Sequence, residues 1–154
     1  MKNTSKGFTL IELIMVTIIL GILAAVAIPR YMTTVQEAEK AAEDATISAI
    51  RAGLESYATE QMMTNGRRSW PANPFDALAT KPSKFDNDGV ADEDGEWSWE
   101  ADDAPAESGT IYHQRNDNSV WSWDYSSAND GTGQNDDTGT LSGRSTTSVS
   151  NDDA

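Results

Sequence analysis

The stretch KGFTLIELIMVTIILGILAAVAIPRY, Lys6 to Tyr31, is almost entirely apolar from Phe8 to Ile28. Those 21 residues match the ~20 that a helix needs to cross the ~30 Å hydrocarbon core of a bilayer. Lys2 and Lys6 precede the run and Pro29 and Arg30 follow it, a charge order that keeps the N-terminal end in the cytoplasm. A plain membrane anchor fits this composition. So does a Sec signal peptide, with Ala25 to Ala27 as its small-residue cleavage site. Neither accounts for Glu12, a carboxylate costing ~2.5–3.5 kcal/mol if it sat near the membrane centre.

The string KGFTLIELIMV, with Gly7 before Phe8 and Glu12 four positions after it, resembles the N-terminal signal of type IV pilins and type II secretion pseudopilins. The likeness covers Lys6 to Arg30. It implies a prepilin peptidase that cuts after Gly7 and methylates the new amine on Phe8. Gly7 offers a protease little steric resistance. Cutting there also removes Lys2 and Lys6 and takes the formal charge from −14 to −16. The resemblance further implies that Glu12 of an incoming subunit neutralises the terminal amine of its neighbour. An unpaired charge in a low-dielectric bundle is strongly disfavoured, so such a pair selects the axial register. A pair within one chain, Glu12 with Phe8 one helical turn away, is the other geometric option.

Beyond Pro29, which removes a backbone donor and kinks a helix, small or apolar residues recur in steps of four and three. They are Tyr31, Val35, Ala38, Ala42, Ala45, Ala49, then Gly53 or Leu54, Tyr57 and Gln61, the pattern of an amphipathic helix. Charged residues, Glu43 among them, are assigned to the remaining positions. The two segments read as one helix of about 55 residues, on the order of 80 Å, stopping near Thr64-Asn65-Gly66. A proline-rich loop, Arg67 to Pro82, follows, pinned to the helix by Trp70, Phe75 and Leu78.

Three alternating runs read as strands: Glu96–Glu100, Gly109–Gln114 and Ser119–Tyr125, the last two joined by a turn at Asn116-Asp117-Asn118. Trp97 and Trp99, and Trp121, Trp123 and Tyr125, each share a strand face. The tryptophans are assigned to the core in preference to an exposed sugar platform, because few other large apolar residues are present. From Ser126 onward the chain is Gly, Ser, Thr, Asn and Asp, with Leu141 and Val149 as its large aliphatics, too little to offset ordering. The expected fold class is α+β. A long N-terminal helix, transmembrane in its first half and amphipathic in its second, packs on a small antiparallel β-sheet and ends in a flexible acidic tail. The segments expected are a leader (1–7), a transmembrane and assembly helix (8–29), a globular head (30–125) and the tail (126–154).

The 154 residues hold 25 Asp and Glu against 11 Lys and Arg, one histidine and no cysteine. Nucleic acid and anionic lipid headgroups reward basic residues, so neither is an expected partner. Disulfides, thiolate metal sites and cysteine nucleophiles are excluded. His113 stands without a nucleophile partner, and no phosphate-binding loop, zinc helix or nucleophile elbow occurs, so no enzyme is expected. The sharpest metal candidate is DNDGVADEDGE, Asp86 to Glu96, where Asp86, Asp88, Asp92 and Asp94 on glycine-relieved turns offer oxygens to calcium. The spacing fails the EF-hand pattern. A solvated acidic loop is the plainer reading, while the resemblance extends to pseudopilins that bind calcium in the head.

The resemblance thus implies a filament subunit, in a type IV pilus or a type II secretion pseudopilus. Its partners would be other pilins or pseudopilins, the prepilin peptidase and an inner-membrane assembly platform. Before assembly it would lie in the bacterial inner membrane with its head outside the cytoplasm. Afterwards it would stand in a periplasmic or surface filament. The alternative is a Sec-exported or membrane-anchored cell-envelope binding module with the acidic cation-binding loop or the tryptophans as its working part.

Overall fold

The computed structural model describes residues 7–87, 89–102, 108–127 and 139–147. A single helix, α1 (Leu10–Asn65), runs for 56 residues with Pro29 inside it. It stops where the sequence places the stop. Gly66 takes a φ of 71° and its N–H donates to the Met62 carbonyl at 3.0 Å, a left-handed cap that costs glycine little. The chain divides after Ala42 into two compact units, residues 1–42 and 43–154.

In the first unit the large apolar side chains from Phe8 to Met32 are exposed, and α1 is long and apolar enough to cross a membrane by length and composition. In the second unit α1 buries Glu43, Ile47, Ile50, Leu54 and Ala58, in steps of four, three, four and four. The expected stripe through Ala42, Ala45 and Ala49 is therefore displaced by one residue, since all three are exposed. The larger isoleucines outweigh the alanines in buried area, and Glu43 lies on the buried face instead of the polar one.

A short 3-10 helix, Pro74–Ala77, is capped by Asn73, whose side chain accepts from the Phe75 N–H at 2.9 Å. It packs close to α1 because Gly53 has no side chain; a Cβ there would fall 2.5 Å from the Ala77 carbonyl oxygen. Trp70 and Phe75 are buried and Leu78 packs against the core, as expected of this loop.

The sheet contains β1 (Phe85–Asp86), β2 (Trp97–Ala101), β3 (Ser108–Gln114), β4 (Val120–Ser126), β5 (Thr140–Leu141) and β6 (Ser145–Thr147). Strands β2, β3 and β4 form an antiparallel meander whose bounds lie within a residue of those read from alternation. The turn at Asn116–Asn118 is present, with Asn118 at φ 60°, a conformation asparagine tolerates better than most residues. Register places Trp97, His113 and Trp121 in one row and Trp99, Ile111 and Trp123 in the next. Trp97, Trp99, Trp123 and Tyr125 are buried and Trp121 is partly buried against them, so the tryptophans are core. Tyr125 donates its hydroxyl to the Pro71 carbonyl at 2.8 Å, tying the proline-rich loop to the sheet.

Two expectations need correction. The sheet is mixed, because β1 adds to β2 in parallel. The segment past Ser126 is also not uniformly tail-like, because β5 and β6 both pair antiparallel with β4. Composition hid these strands, since they are ordered by backbone pairing and hydroxyls more than by apolar burial. The Ser122 and Ser145 hydroxyls lie 2.8 Å apart, Thr147 Oγ1 donates to Ser122 Oγ at 2.7 Å, and Leu141 joins the core. Residues 128–138 and 148–154 of the expected tail lie outside the described residues.

Candidate functional site

Gly7, Phe8 and Thr9 precede the first helical residue. Among the described residues nothing lies within 4 Å of where a Gly7 Cβ would stand, and Phe8 is 91% exposed, so none of them covers the expected scissile bond. Glu12 is one turn into α1. Its Oε2 accepts from Thr9 N at 2.8 Å and from Thr9 Oγ1 at 2.7 Å, and Thr9 Oγ1 accepts from Glu12 N at 3.3 Å. This reciprocal arrangement is a capping box, Thr at the N-cap and Glu at the third helical position. In the uncleaved chain, then, the carboxylate already has partners in its own helix terminus. The sequence carried that signal as Thr9-Leu10-Ile11-Glu12, an unremarked T-x-x-E ahead of an apolar run.

A second carboxylate, Glu43, is fully buried and holds an ion cluster. Arg115 donates Nε to Glu43 Oε1 at 2.6 Å and Nη2 to Oε2 at 2.7 Å, a bidentate pair. His113 Nδ1 lies 2.9 Å from Oε1. Arg144 Nη2 approaches Oε2 at 3.0 Å and Asp44 Oδ1 at 2.8 Å. Trp121 supplies a ring face to the Arg115 and Arg144 guanidiniums at 4.6 and 5.6 Å, and Trp97 packs on His113 at 4.4 Å. Burial alone pushes the Glu43 carboxyl up. The hydrogen bonds from Arg115 and His113 and the Arg115 charge outweigh it and lower the pKa to about 2. The cluster joins α1 to the end of β3 and to the segment before β6. Hydrophobic periodicity missed it because a paired acid on an apolar face looks like a polar-face residue.

Of the residues proposed for calcium, Asp86, Asp92 and Asp94 are exposed and Asp88 lies outside the described residues. Among the described residues no group of three metal-ligating side chains comes together. The loop is organised by protein groups. The buried Glu96 accepts from the N–H groups of Asp92 and Glu93 at 2.8 and 2.9 Å, and Lys84 donates to the Asp94 carbonyl at 2.8 Å.

Residues 2–28 match the family model described as the prokaryotic N-terminal methylation motif. The chain is 44% identical over 62 residues to the type IV narrow pilus major component PilA5 of Thermus thermophilus, covering 40% of this chain and 51% of that protein. It is 40% identical over 84 residues to the type IV major pilin protein PilE1 of Neisseria gonorrhoeae, covering 54% and 47%. It is 32% identical over 82 residues to the type II secretion system core protein G of Klebsiella michiganensis, covering 53% and 55%. The chain spans about half the length of the curated relatives it matches. No solved structure matches it.

Proposed function

We propose that this chain, whose relatives are type IV pilins and type II secretion pseudopilins, is a structural subunit of such a filament and not an enzyme. It is made as a precursor and held in the inner membrane by the first half of α1, with its head outside the cytoplasm. A prepilin peptidase cuts it after Gly7 and methylates the amine of Phe8. An inner-membrane platform then polymerises it with its own kind or with other pilins through residues 8–29. The observation that carries this reading is the methylation motif at residues 2–28 on a helix whose apolar side chains from Phe8 to Met32 are exposed. Such a surface has two apolar environments to occupy, lipid and the helices of neighbouring subunits. Moving between them changes little hydrophobic energy, so packing and the Glu12–amine pair decide the register.

Mass spectrometry of the mature N-terminus, on protein isolated from membranes, tests this. The expected result is N-methylated Phe8. A start at Ile28 would identify an exported head and an intact leader a plain anchor; either would remove the polymer mechanism. Long surface filaments containing the chain would assign it to a pilus, and a filament confined to the periplasm to secretion.

A further inference from the structure

The Gly7–Phe8 bond lies just outside a helix whose first residue is sharply defined. Gly7, Phe8 and Thr9 are non-helical and α1 starts at Leu10. The Leu13 N–H donates to the Thr9 carbonyl at 3.3 Å, the first bond of the helix, so Thr9 is the N-cap and Phe8 and Gly7 are the two residues before it. Side chains hold the start there. Thr9 Oγ1 occupies the Glu12 N–H at 3.3 Å, and Glu12 Oε2 occupies the Thr9 N–H at 2.8 Å and the Thr9 hydroxyl at 2.7 Å.

Without that box the helix has other partners for its first N–H groups. The Glu12 N–H can take the Phe8 carbonyl, four residues back, and the Ile11 N–H can take the Gly7 carbonyl. Each such bond winds α1 backward, the second one as far as the bond to be cut. An apolar surround drives this rewinding, because lipid offers a loose N–H no acceptor. Proteolysis favours the opposite state, an exposed segment outside regular structure. A peptide bond inside a helix has its polar groups engaged, whereas an unwound one offers them to a cleft. With its side-chain acceptor in place, the Glu12 N–H leaves the Phe8 carbonyl out of the helix. Gly7 pulls the same way, since glycine is among the poorest helix formers.

We propose that Thr9 is a positioning residue for processing: by capping α1 it keeps the Gly7–Phe8 bond unwound and presents it to the peptidase. Glu12 serves the same presentation through its half of the box, before cleavage and apart from any pairing with an amine. This role rests on the processing reading above and names the side chains of the precursor that set the rate of that step. The step is hydrolysis. The oxygen of water bonds to the Gly7 carbonyl carbon, the C–N bond to Phe8 breaks, and both hydrogens of water end on the Phe8 amine, leaving a Gly7 carboxylate on the leader.

The test uses the full precursor chain in a neutral detergent with a purified prepilin peptidase. Cleavage is timed by mass spectrometry of the N-terminus over a range of precursor concentrations. Thr9→Val keeps the shape of the side chain and loses the cap, and its kcat/KM is expected to fall about tenfold, within what an N-cap is worth. The loss should lie in KM, because rewinding shrinks the competent fraction and leaves the chemistry of the bound chain unchanged. Thr9→Ser and Thr9→Asn, both capping residues, should be cut at close to the native rate. Glu12→Gln keeps the box and should match the native chain, while Glu12→Ala should be cut at the same bond but more slowly. The carbon chemical shifts of Gly7 and Phe8 in the labelled precursor supply a readout that direct contact with the peptidase would not move. They should shift towards helical values in Thr9→Val and stay put in Thr9→Asn. A native rate from Thr9→Val overturns the proposal, and so does a slow Thr9→Asn or a loss of rate without the helical shift; in each case cleavage of the native chain after Gly7 leaves the processing reading standing. No cut after Gly7 in the native chain removes that reading and the role of Thr9 with it.

Discussion

Arg115 grips Glu43 with two parallel hydrogen bonds, 2.6 and 2.7 Å, across 72 residues of sequence. A bidentate guanidinium–carboxylate pair is strong and geometrically specific, and here both partners are nearly or fully buried. Removing one partner strands the other, at ~3–5 kcal/mol for a buried pair. Glu43→Ala is therefore expected to destabilise the head by about that much in urea unfolding, since it takes the carboxylate from Arg115 and leaves Arg144 with Asp44. Arg115→Met is expected to cost less than Glu43→Ala, because Arg144 and His113 still hold the acid. Equal and small losses from both would mean that the cluster is dispensable.

The same pair fixes the acid limit. Glu43 has a folded pKa of about 2 against an ordinary 4.5. A lowered folded pKa gives stability that is fully present above the unfolded value and is lost as pH falls through 4.5 towards 2. The shift corresponds to about 3 kcal/mol. Urea midpoints at pH 7, 4.5 and 3 should fall steeply over the last interval in the native chain. In Glu43→Gln the midpoint should start lower at pH 7 and change less.

The phase of α1 in the head gives a third expectation. Ile50 is fully buried and Ala49, one residue away, is exposed. Ile50→Ala should cost ~2–5 kcal/mol through lost burial and the cavity left behind. Ala49→Ser should stay within about 0.5 kcal/mol. The reverse order would put the stripe back where the alanines suggested it.

Legibility followed the kind of force at work. The meander was readable because Trp97, Trp99, Ile111, Trp123 and Tyr125 alternate with polar residues, and period-two burial is what alternation reports. The helix stop was readable because Asn65-Gly66 is local chemistry. Glu43 was not, because its place depends on Arg115 and Arg144, which only tertiary folding brings near. Strands β5 and β6 were not, because they are held to β4 by backbone and hydroxyl bonds, which carry no hydrophobic signature. At the N-terminus Gly7, Phe8 and Glu12 stood out by pattern, while Thr9 passed as one more residue of the run.

Gly109 faces Tyr125 across the sheet, in register, and a Cβ on it would lie 2.3 Å from the Glu100 carbonyl oxygen and 2.6 Å from the Trp99 ring. Neither obstacle yields easily, one being backbone and the other a buried indole. Gly109→Ala should lower stability by ~1–3 kcal/mol, the range for overpacking. It should also shift the tryptophan emission, because Trp99 must move. Gly143→Ala, where nothing among the described residues stands within 4 Å, is the matched control and should do neither.

Glu12 has two jobs available, and one substitution separates them. As the third helical residue it accepts both Thr9 donors; as a charge it is available to a neighbour's amine. Glutamine can occupy the same capping-box position but cannot neutralise an amine. If pairing is what filaments need, Glu12→Gln and Glu12→Ala should lose filament yield alike, while both are still cut after Gly7. If the cap is what matters, Glu12→Gln should assemble nearly as well as the native chain and Thr9→Val should fail. The expected outcome is the first, because losing an N-terminal cap costs only ~0.5–2 kcal/mol, whereas an amine left unpaired among apolar helices is disfavoured by several. Filament yield is scored by shearing and immunoblot, with N-terminal mass spectrometry to confirm processing in every variant. Native yield from Glu12→Ala would remove the register role altogether.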